Sequence, residues 1–401
     1  MKKPNISVII LDTMRLDEFK RLEEKHNRFK ELGFIFLDNC IAPASWTLPS
    51  HASLFTGKYP KEHGAHETTK VKSLDIDKIK LKIPTFIGEL SKLGYKTYGI
   101  SANPYVHPIY GFNEFDNFKE ESYFTDVFGH TIEIPLELRP KIAIYRERYG
   151  NEVDKTAMAI AKEDPNLLLE APSVFSATLQ SAAKKLRAKF IDGWPIEKGG
   201  KNIVKTVAGT KFAEPFFMFI NLMEAHDPYV GKKGQDFNWA TPFLKKKPEK
   251  STVDLWKRLY SKASLKAYLY AIQIISNVID RYGDDQLIIL TSDHGQALNE
   301  HGFIGHGTVL YDEVVKIPMA IKIPKGKRYG TPGKKGFSSL VNVRGFILSA
   351  LEGNSNAFAQ FDNKSVYSES FGMPANITMA TGIDRAKLRA YDKPQKRKFP
   401  K

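Results

Sequence analysis

The sequence predicts an α/β fold, a mostly parallel β-sheet with helices on both faces. Three observations predict it. Short apolar runs recur along the chain, as buried parallel strands do. Between them lie stretches with apolar residues at helical spacing, several of which stop at a glycine. Ionisable residues then collect directly after the apolar runs, at the strand ends where an open sheet of this kind holds its ligand. At 401 residues the chain suits one large domain with insertions or two domains. Its 42% apolar and 26% charged residues exclude a disordered chain.

Taken in order, "ISVIIL" (6–11) is the first strand. The two lysines before it resemble the start of a signal peptide. The apolar run is only about six residues, however, ends at Asp12 and lacks a small-residue cleavage site. "RLDEFKRLEEKHNRFKELG" reads as one helix ending at Gly33. "LPSHASLFTG" reads as a short helix starting near Thr47, with Pro49 tolerated in its first turn and Gly57 at its end. "TFIGELSKLG" is a helix and "KTYGIS" (96–101) a strand. Residues 119–212 break the rhythm. They are lysine-rich and mostly helical in pattern, as in "FSATLQSAAKKLRAKFIDGW", and read as an insertion or lid over the sheet edge. "FFMFINL" (216–222), "LIILTS" (287–292) and "PMAIKI" (318–323) read as further parallel strands, with the helix "SLKAYLYAIQIISNVIDRYG" before the second. A Gly/Lys/Pro connector follows residue 325, then the helix "LVNVRGFILSALEG", the strand "KSVYSES" and a basic tail expected to be mobile. The expected organisation is a catalytic domain over 1–325 and a small C-terminal extension over 326–401.

The net charge of +15 admits nucleic acid, an anionic surface or an anionic small substrate as partner. The lysines are scattered, and there is no zinc-finger spacing or RNP-type strand, so they read as a solvated surface. An anionic small substrate stays among the partners this charge admits. No run approaches the roughly 20 apolar residues of a membrane span. Cys40 is the one cysteine, so no internal disulfide forms, and the chain is expected to be cytoplasmic. A homo-oligomer stays open.

Three apolar runs end in ionisable groups: Asp12 after the first, Glu224, His226 and Asp227 after "FFMFINL", and Asp293 with His294 after "LIILTS". One aspartate after a strand is ordinarily a turn or helix cap. Three such ends in one chain make independent capping a poor account. Asp12, Asp293 and His294 form a metal set that suits zinc or manganese, and magnesium or calcium if waters complete the shell. Thr47 is the candidate fourth ligand. A hydroxyl at a helix N-terminus is either a cap or, beside a divalent cation, a nucleophile toward an anionic ester.

The segments "VIILDTMRLD", "APASWTLPSHASLFTGKYPKEHG", "GFNEFDNF", "FMFINLMEAHDPY" and "LIILTSDHGQALNEHGFIGHGTVLYDEVVKIPM" together resemble the sulfatase-like branch of the alkaline phosphatase superfamily. The resemblance implies that superfamily's three-layer sandwich, with the helical insertion and a small C-terminal subdomain. It implies Asp12, Asp293 and His294 as metal ligands, with Thr47 at the nucleophile position. His226 matches a histidine near the leaving group. His306 falls where the family places a cationic group on the ester oxygens, and Asn103 at a position able to face the pocket. His51 stands where the sulfatase signature has an arginine and joins the substrate-contacting candidates. The chain also departs from the family pattern. Formylglycine sulfatases require Cys or Ser at the nucleophile position, and a secondary alcohol such as Thr47 cannot yield that aldehyde. Thr13 replaces the second aspartate of the usual pair, and "SANPY" replaces a Lys/His cluster. The set resembles phosphoethanolamine transferases and threonine-using phosphodiesterases of the same superfamily.

The implied activity is metal-dependent hydrolysis of phosphate mono- or diesters, or of sulfate esters, through a phospho-threonine or its sulfate counterpart. A phosphoryl-group transferase is the alternative. A catalytically inactive basic protein binding nucleic acid or anionic polymers is the reading from another class. One metal site is expected, and His226, Asp227 and His306 leave a second open. His63 and His301 read as structural loop residues, and Arg15 with Asp17 as a local pair.

Overall fold

The computed structural model describes residues 3–67, 76–121, 159–160, 162–170, 197–227, 243, 247–333, 336–372, 384–391 and 393–400. Its strands are β1 (Asn5–Leu11), β2 (Ile35–Ile41), β3 (Lys96–Ser101), β4 (Asn117–Glu120), β5 (Phe216–Leu222), β6 (Gln286–Thr291), β7 (Ala297–Leu298), β8 (Ile304–Gly305), β9 (Lys316–Lys322), β10 (Ser338–Ser339), β11 (Ser365–Ser370) and β12 (Gln395–Pro400). Eight of them form one sheet in the order β10-β2-β9-β6-β1-β5-β3-β4. The central run β6-β1-β5-β3-β4 is parallel throughout, so these strands all end at the same edge.

Both faces of the sheet are covered. On β1, Ile9 and Leu11 point into a core closed by the helices Leu16–His26, Gly200–Gly209 and Lys250–Tyr282. Ile6, Val8 and Ile10 point into the opposite core, closed by the helices Thr47–Thr56, Phe86–Lys92 and Asn342–Leu351. This two-sided burial is why these strands read as continuous apolar runs. Among the described residues no helix is long and apolar enough to cross a membrane.

The structure corrects three expectations and adds one strand. β9, inside the run "PMAIKI", is antiparallel to both of its neighbours, β2 and β6. A strand buried on both faces is apolar whichever way it runs, so composition carries no direction. β2 was absent from the reading because Asp38 and Asn39 interrupt it, at a register irregularity between Leu37 and Cys40. The helix expected to run unbroken to Gly33 instead breaks at Asn27, which adopts φ 53°, ψ 22°. Asparagine tolerates this left-handed conformation better than most side chains. Residues Gln395–Pro400 of the basic tail are a strand, paired antiparallel with β11. Phe399 is buried there, and Arg397 donates to the Leu310 carbonyl and pairs with Asp312.

β10 lies beyond residue 325 and pairs with β2 in the central sheet. Most of 119–212, including "FSATLQSAAKKLRAKFIDGW" up to residue 194, lies outside the described residues.

Candidate active site

Because β1, β3, β5 and β6 run parallel, the residues just past them meet at one edge. Asp12 follows β1, Asn103 follows β3, Glu224 to Asp227 follow β5, and Asp293 and His294 follow β6. The helix Thr47–Thr56 brings Thr47 to the same place as its first residue. Gly57 closes that helix at φ 70° and donates its N–H to the Ser53 carbonyl.

Asp12, Asp293 and His294 are fully buried, and one ligand atom from each lies within 4.8 Å of the others. Asp12 Oδ2 accepts from Asn103 Nδ2 at 2.7 Å and Asn221 Nδ2 at 3.2 Å. Asp293 Oδ1 accepts from the backbone N–H of Thr13 at 3.2 Å and of His294 at 2.9 Å. The other oxygens, Asp12 Oδ1 and Asp293 Oδ2, are buried without a hydrogen-bond partner. His294 Nδ1 donates to the Gly295 carbonyl at 2.9 Å, which leaves the Nε2 lone pair facing the carboxylates. Nε2 is 3.4 Å from Asp293 Oδ2 and 3.9 Å from Asp12 Oδ1.

Burial and the nearby Asp293 push the Asp12 carboxyl up to about 6. Burial pushes Asp293 up to about 7, against the N–H groups of Thr13 and His294 that favour its anion. Burial lowers His294 to about 4, so its imidazole is neutral. A neutral imidazole and two orphaned carboxylate oxygens fit a divalent cation, which would neutralise charge that the protein leaves unpaired.

Thr47 Oγ1 lies 3.5 Å from His294 Nε2 and accepts from Asn103 Nδ2 at 3.2 Å. Asn103 Nδ2 also reaches Met223 Sδ at 3.1 Å, while its Oδ1 accepts the Tyr105 N–H at 2.8 Å and fixes the amide plane. A second group lies beside the first. His226, Asp227 and His306 also offer ligand atoms within 4.8 Å of one another. The His306 ring centroid is 4.5 Å from that of His294 and 4.9 Å from that of His226. His226 Nδ1 donates to the Asp227 carbonyl at 2.5 Å and lies 3.3 Å from Asp227 Oδ1. Burial alone would lower its pKa, but Asp227 and Asp12 outweigh that and raise it.

Two candidates behave differently from expectation. His51 is fully buried, with Nδ1 on the Thr47 carbonyl at 2.9 Å and Nε2 against Asn221 Nδ2 at 3.2 Å. Both ring nitrogens are taken, so the ring braces Thr47 from behind instead of presenting to a substrate. His306 is held well below the ordinary histidine value by burial, then by His294 and His226, so it is not the expected cation in this environment. Its Nδ1 pairs with Gln296 Oε1 at 2.5 Å. His63 is bound to Ser53 Oγ and the Ala65 N–H. His301 lies 3.5 Å from Glu313 Oε2. Arg15 pairs with Asp17 at 2.6 Å and also with Glu300 at 2.9 Å.

The sequence reading missed Asn221 and Gln296, the partners of Asp12 and His306. Asn221 sits inside an apolar run whose only polar side chain is this one, and that was the available signal.

The Sulfatase family profile matches residues 4–353. Among curated proteins, the chain is 28% identical over 141 residues to an uncharacterized sulfatase, YidJ, of Escherichia coli (strain K12), covering 29% of this chain and 28% of YidJ. It is 39% identical over 71 residues to the multifunctional alkaline phosphatase superfamily protein PehA of Trinickia caryophylli, covering 18% and 13%. The matched regions thus span less than a third of either relative. Among solved structures, the phosphonate monoester hydrolase of Agrobacterium radiobacter aligns with TM-score 0.54 at 13% identity, over 95% of this chain and 82% of that one. The C-terminal periplasmic domain of EcEptC from Escherichia coli aligns with TM-score 0.52 at 12% identity, over 97% and 94%. At such identities the likeness is one of fold, and the fold is alkaline-phosphatase-like.

Proposed function

Given that the chain belongs to the sulfatase family, we propose that it is a metal-dependent hydrolase of anionic esters, phosphate mono- or diesters before sulfate esters, with Thr47 as nucleophile. One observation carries the reading. The Thr47 hydroxyl, first in its helix, lies 3.2 Å from Asn103 Nδ2 and 3.5 Å from His294 Nε2, beside two orphaned carboxylate oxygens. A secondary alcohol cannot become a formylglycine, so in this reading the hydroxyl itself attacks.

Asp12, Asp293 and His294 are the residues that would hold the cation, with Thr47 as the fourth donor. A divalent cation bound there supplies Lewis acidity, which favours loss of the Thr47 proton to solvent and polarises the ester. Zinc, manganese, magnesium and calcium all remain compatible with this donor set. Thr47 Oγ1 forms its bond to phosphorus as the bond to the alcohol oxygen breaks. The His226 imidazolium, favoured by Asp227 and Asp12, protonates that departing oxygen. Water then attacks the phospho-threonine. His226 takes the water's proton, the bond from phosphorus to Thr47 Oγ1 breaks, and the product is inorganic phosphate from a monoester or a phosphate monoester from a diester. The Asn103 amide orients the hydroxyl between these steps.

His226, Asp227 and His306 support a second reading of their cluster, as an additional cation site, because their ligand atoms meet within 4.8 Å. A phosphoryl-group transferase would share the first half-reaction and replace water with another alcohol.

The test is a parallel assay of an aryl phosphate, a bis-aryl phosphate, a phosphonate monoester and an aryl sulfate, with manganese, zinc, magnesium or calcium added to metal-stripped protein. Metal-dependent turnover of a phosphorus ester supports the reading. Salt-sensitive nucleic-acid binding with no cation uptake and no turnover of any ester would instead support an inactive binding protein.

A further inference from the structure

Lys198 is fully buried, an expensive place for an ammonium group. Its Nζ donates to the carbonyl of Glu224 at 2.9 Å and to the carbonyl of His226. The bond is returned by the other partner, since Glu224 Oε1 accepts the backbone N–H of Lys198 at 3.3 Å and of Gly200 at 2.9 Å. Two segments therefore hold each other, each by one side chain on the other's backbone. One is the segment entering the helix Gly200–Gly209. The other is the turn after β5, which carries Met223, His226 and Asp227.

The first segment is itself anchored. Glu197 pairs with Lys266 at 2.7 Å and accepts from Tyr270 Oη at 2.8 Å, both on the helix Lys250–Tyr282. The turn in its own right reaches the reacting groups. Met223 Sδ contacts the Asn103 amide, and His226 is paired with Asp227. At Gly200 the packing leaves no room, because a Cβ there would lie 2.7 Å from the Glu224 carboxyl and 2.4 Å from the Tyr270 ring.

We infer that Lys198 is a positioning residue for catalysis: by holding the carbonyls of Glu224 and His226 it fixes the turn that keeps His226 beside His306, whose ring in turn lies against His294. The inference rests on the reading of His226 as the proton donor.

The experiment uses the full chain carrying Lys198→Met, which keeps the length of the side chain and removes its donors. Hydrogen exchange is read by mass spectrometry, and hydrolysis is read with a series of aryl esters of rising leaving-group pKa. Exchange over 223–227 should quicken by about tenfold or more while β5 stays protected. kcat should fall about 10- to 100-fold for the poorest leaving groups and far less for the best, with little change in KM. In a His226→Asn background the same substitution should cost almost nothing more, because both changes disable one function. Unchanged exchange over 223–227, or an equal loss with and without His226, overturns the inference. If Lys198→Met does not fold, Gly200→Ala displaces the Glu224 carboxyl from the other side, and the same exchange pattern and leaving-group dependence are expected of it. If the wild type hydrolyses no ester, the His226 reading fails by itself, and exchange over 223–227 alone decides whether Lys198 holds the turn.

Discussion

Restoring a divalent cation to metal-stripped protein should stabilise it far more at pH 8 than at pH 5. Asp12 and Asp293 are both fully buried, and each is left with one oxygen lacking a partner. In the metal-free protein their carboxyls are pushed from the ordinary 3.8 up to about 6 and about 7. A folded-state pKa above the unfolded one contributes stability that is complete below about pH 4 and is lost as pH rises through 6 to 7. At about 1.4 kcal/mol per unit the loss is on the order of 3 to 4 kcal/mol for each group. The Asp293 charge is already part of the Asp12 shift, so the two titrate as a coupled pair. Buried histidines act in the opposite sense: His51 and His63, held down to about 3, are not among the proposed ligands, while His294, held down to about 4, is one and offsets part of the carboxylate contribution. The comparison is therefore between stripped and loaded protein at each pH. At pH 8 a cation at about a thousandfold its Kd adds about 4 kcal/mol, on the order of 5–8 °C in Tm. At pH 5 protons already occupy the carboxyls, compete for the site, and should leave a shift of about 1–2 °C. Differential scanning fluorimetry after chelation, with manganese or zinc restored, reads both. Equal shifts at pH 5 and pH 8, or none at either, would refute the reasoning.

Asn103→Ala removes the donor to Asp12 Oδ2 and Thr47 Oγ1. A hydrogen bond to a charged group is worth about 1.5–3 kcal/mol, so kcat/KM in steady-state assays should fall about 10- to 100-fold. Gly295→Ala would place a Cβ 2.1 Å from the Glu313 carbonyl oxygen, which is backbone and cannot rotate away. The segment bearing His294 must then shift, and denaturant unfolding should show a loss of about 3 kcal/mol or more together with weaker cation binding.

The meeting of Asp12, Asp293 and His294 was legible because each carboxylate follows an apolar run, and parallel strands deliver their ends to one edge. Thr47 was legible because Pro49 and Gly57 bracket a short helix. The direction of β9 was not, since burial on both faces erases the pattern that would reveal it. Lys198 was not legible either, because its burial is set by tertiary contacts and nothing in its sequence neighbours separates it from the other lysines. His51 misled for a related reason. A helix places it one turn beyond Thr47, and the side chain turns inward to the Thr47 carbonyl and Asn221.

The most direct measurement is rapid quenching of metal-loaded protein during turnover of a phosphate diester, followed by peptide mass spectrometry across residues 45–57. The account predicts on Thr47 a phosphoryl group still carrying the diester's second alcohol, which accumulates and decays with turnover and is missing from an inactive Thr47→Ala protein. Full turnover by Thr47→Ala, with no phosphorylated intermediate on this segment in either protein, would contradict it.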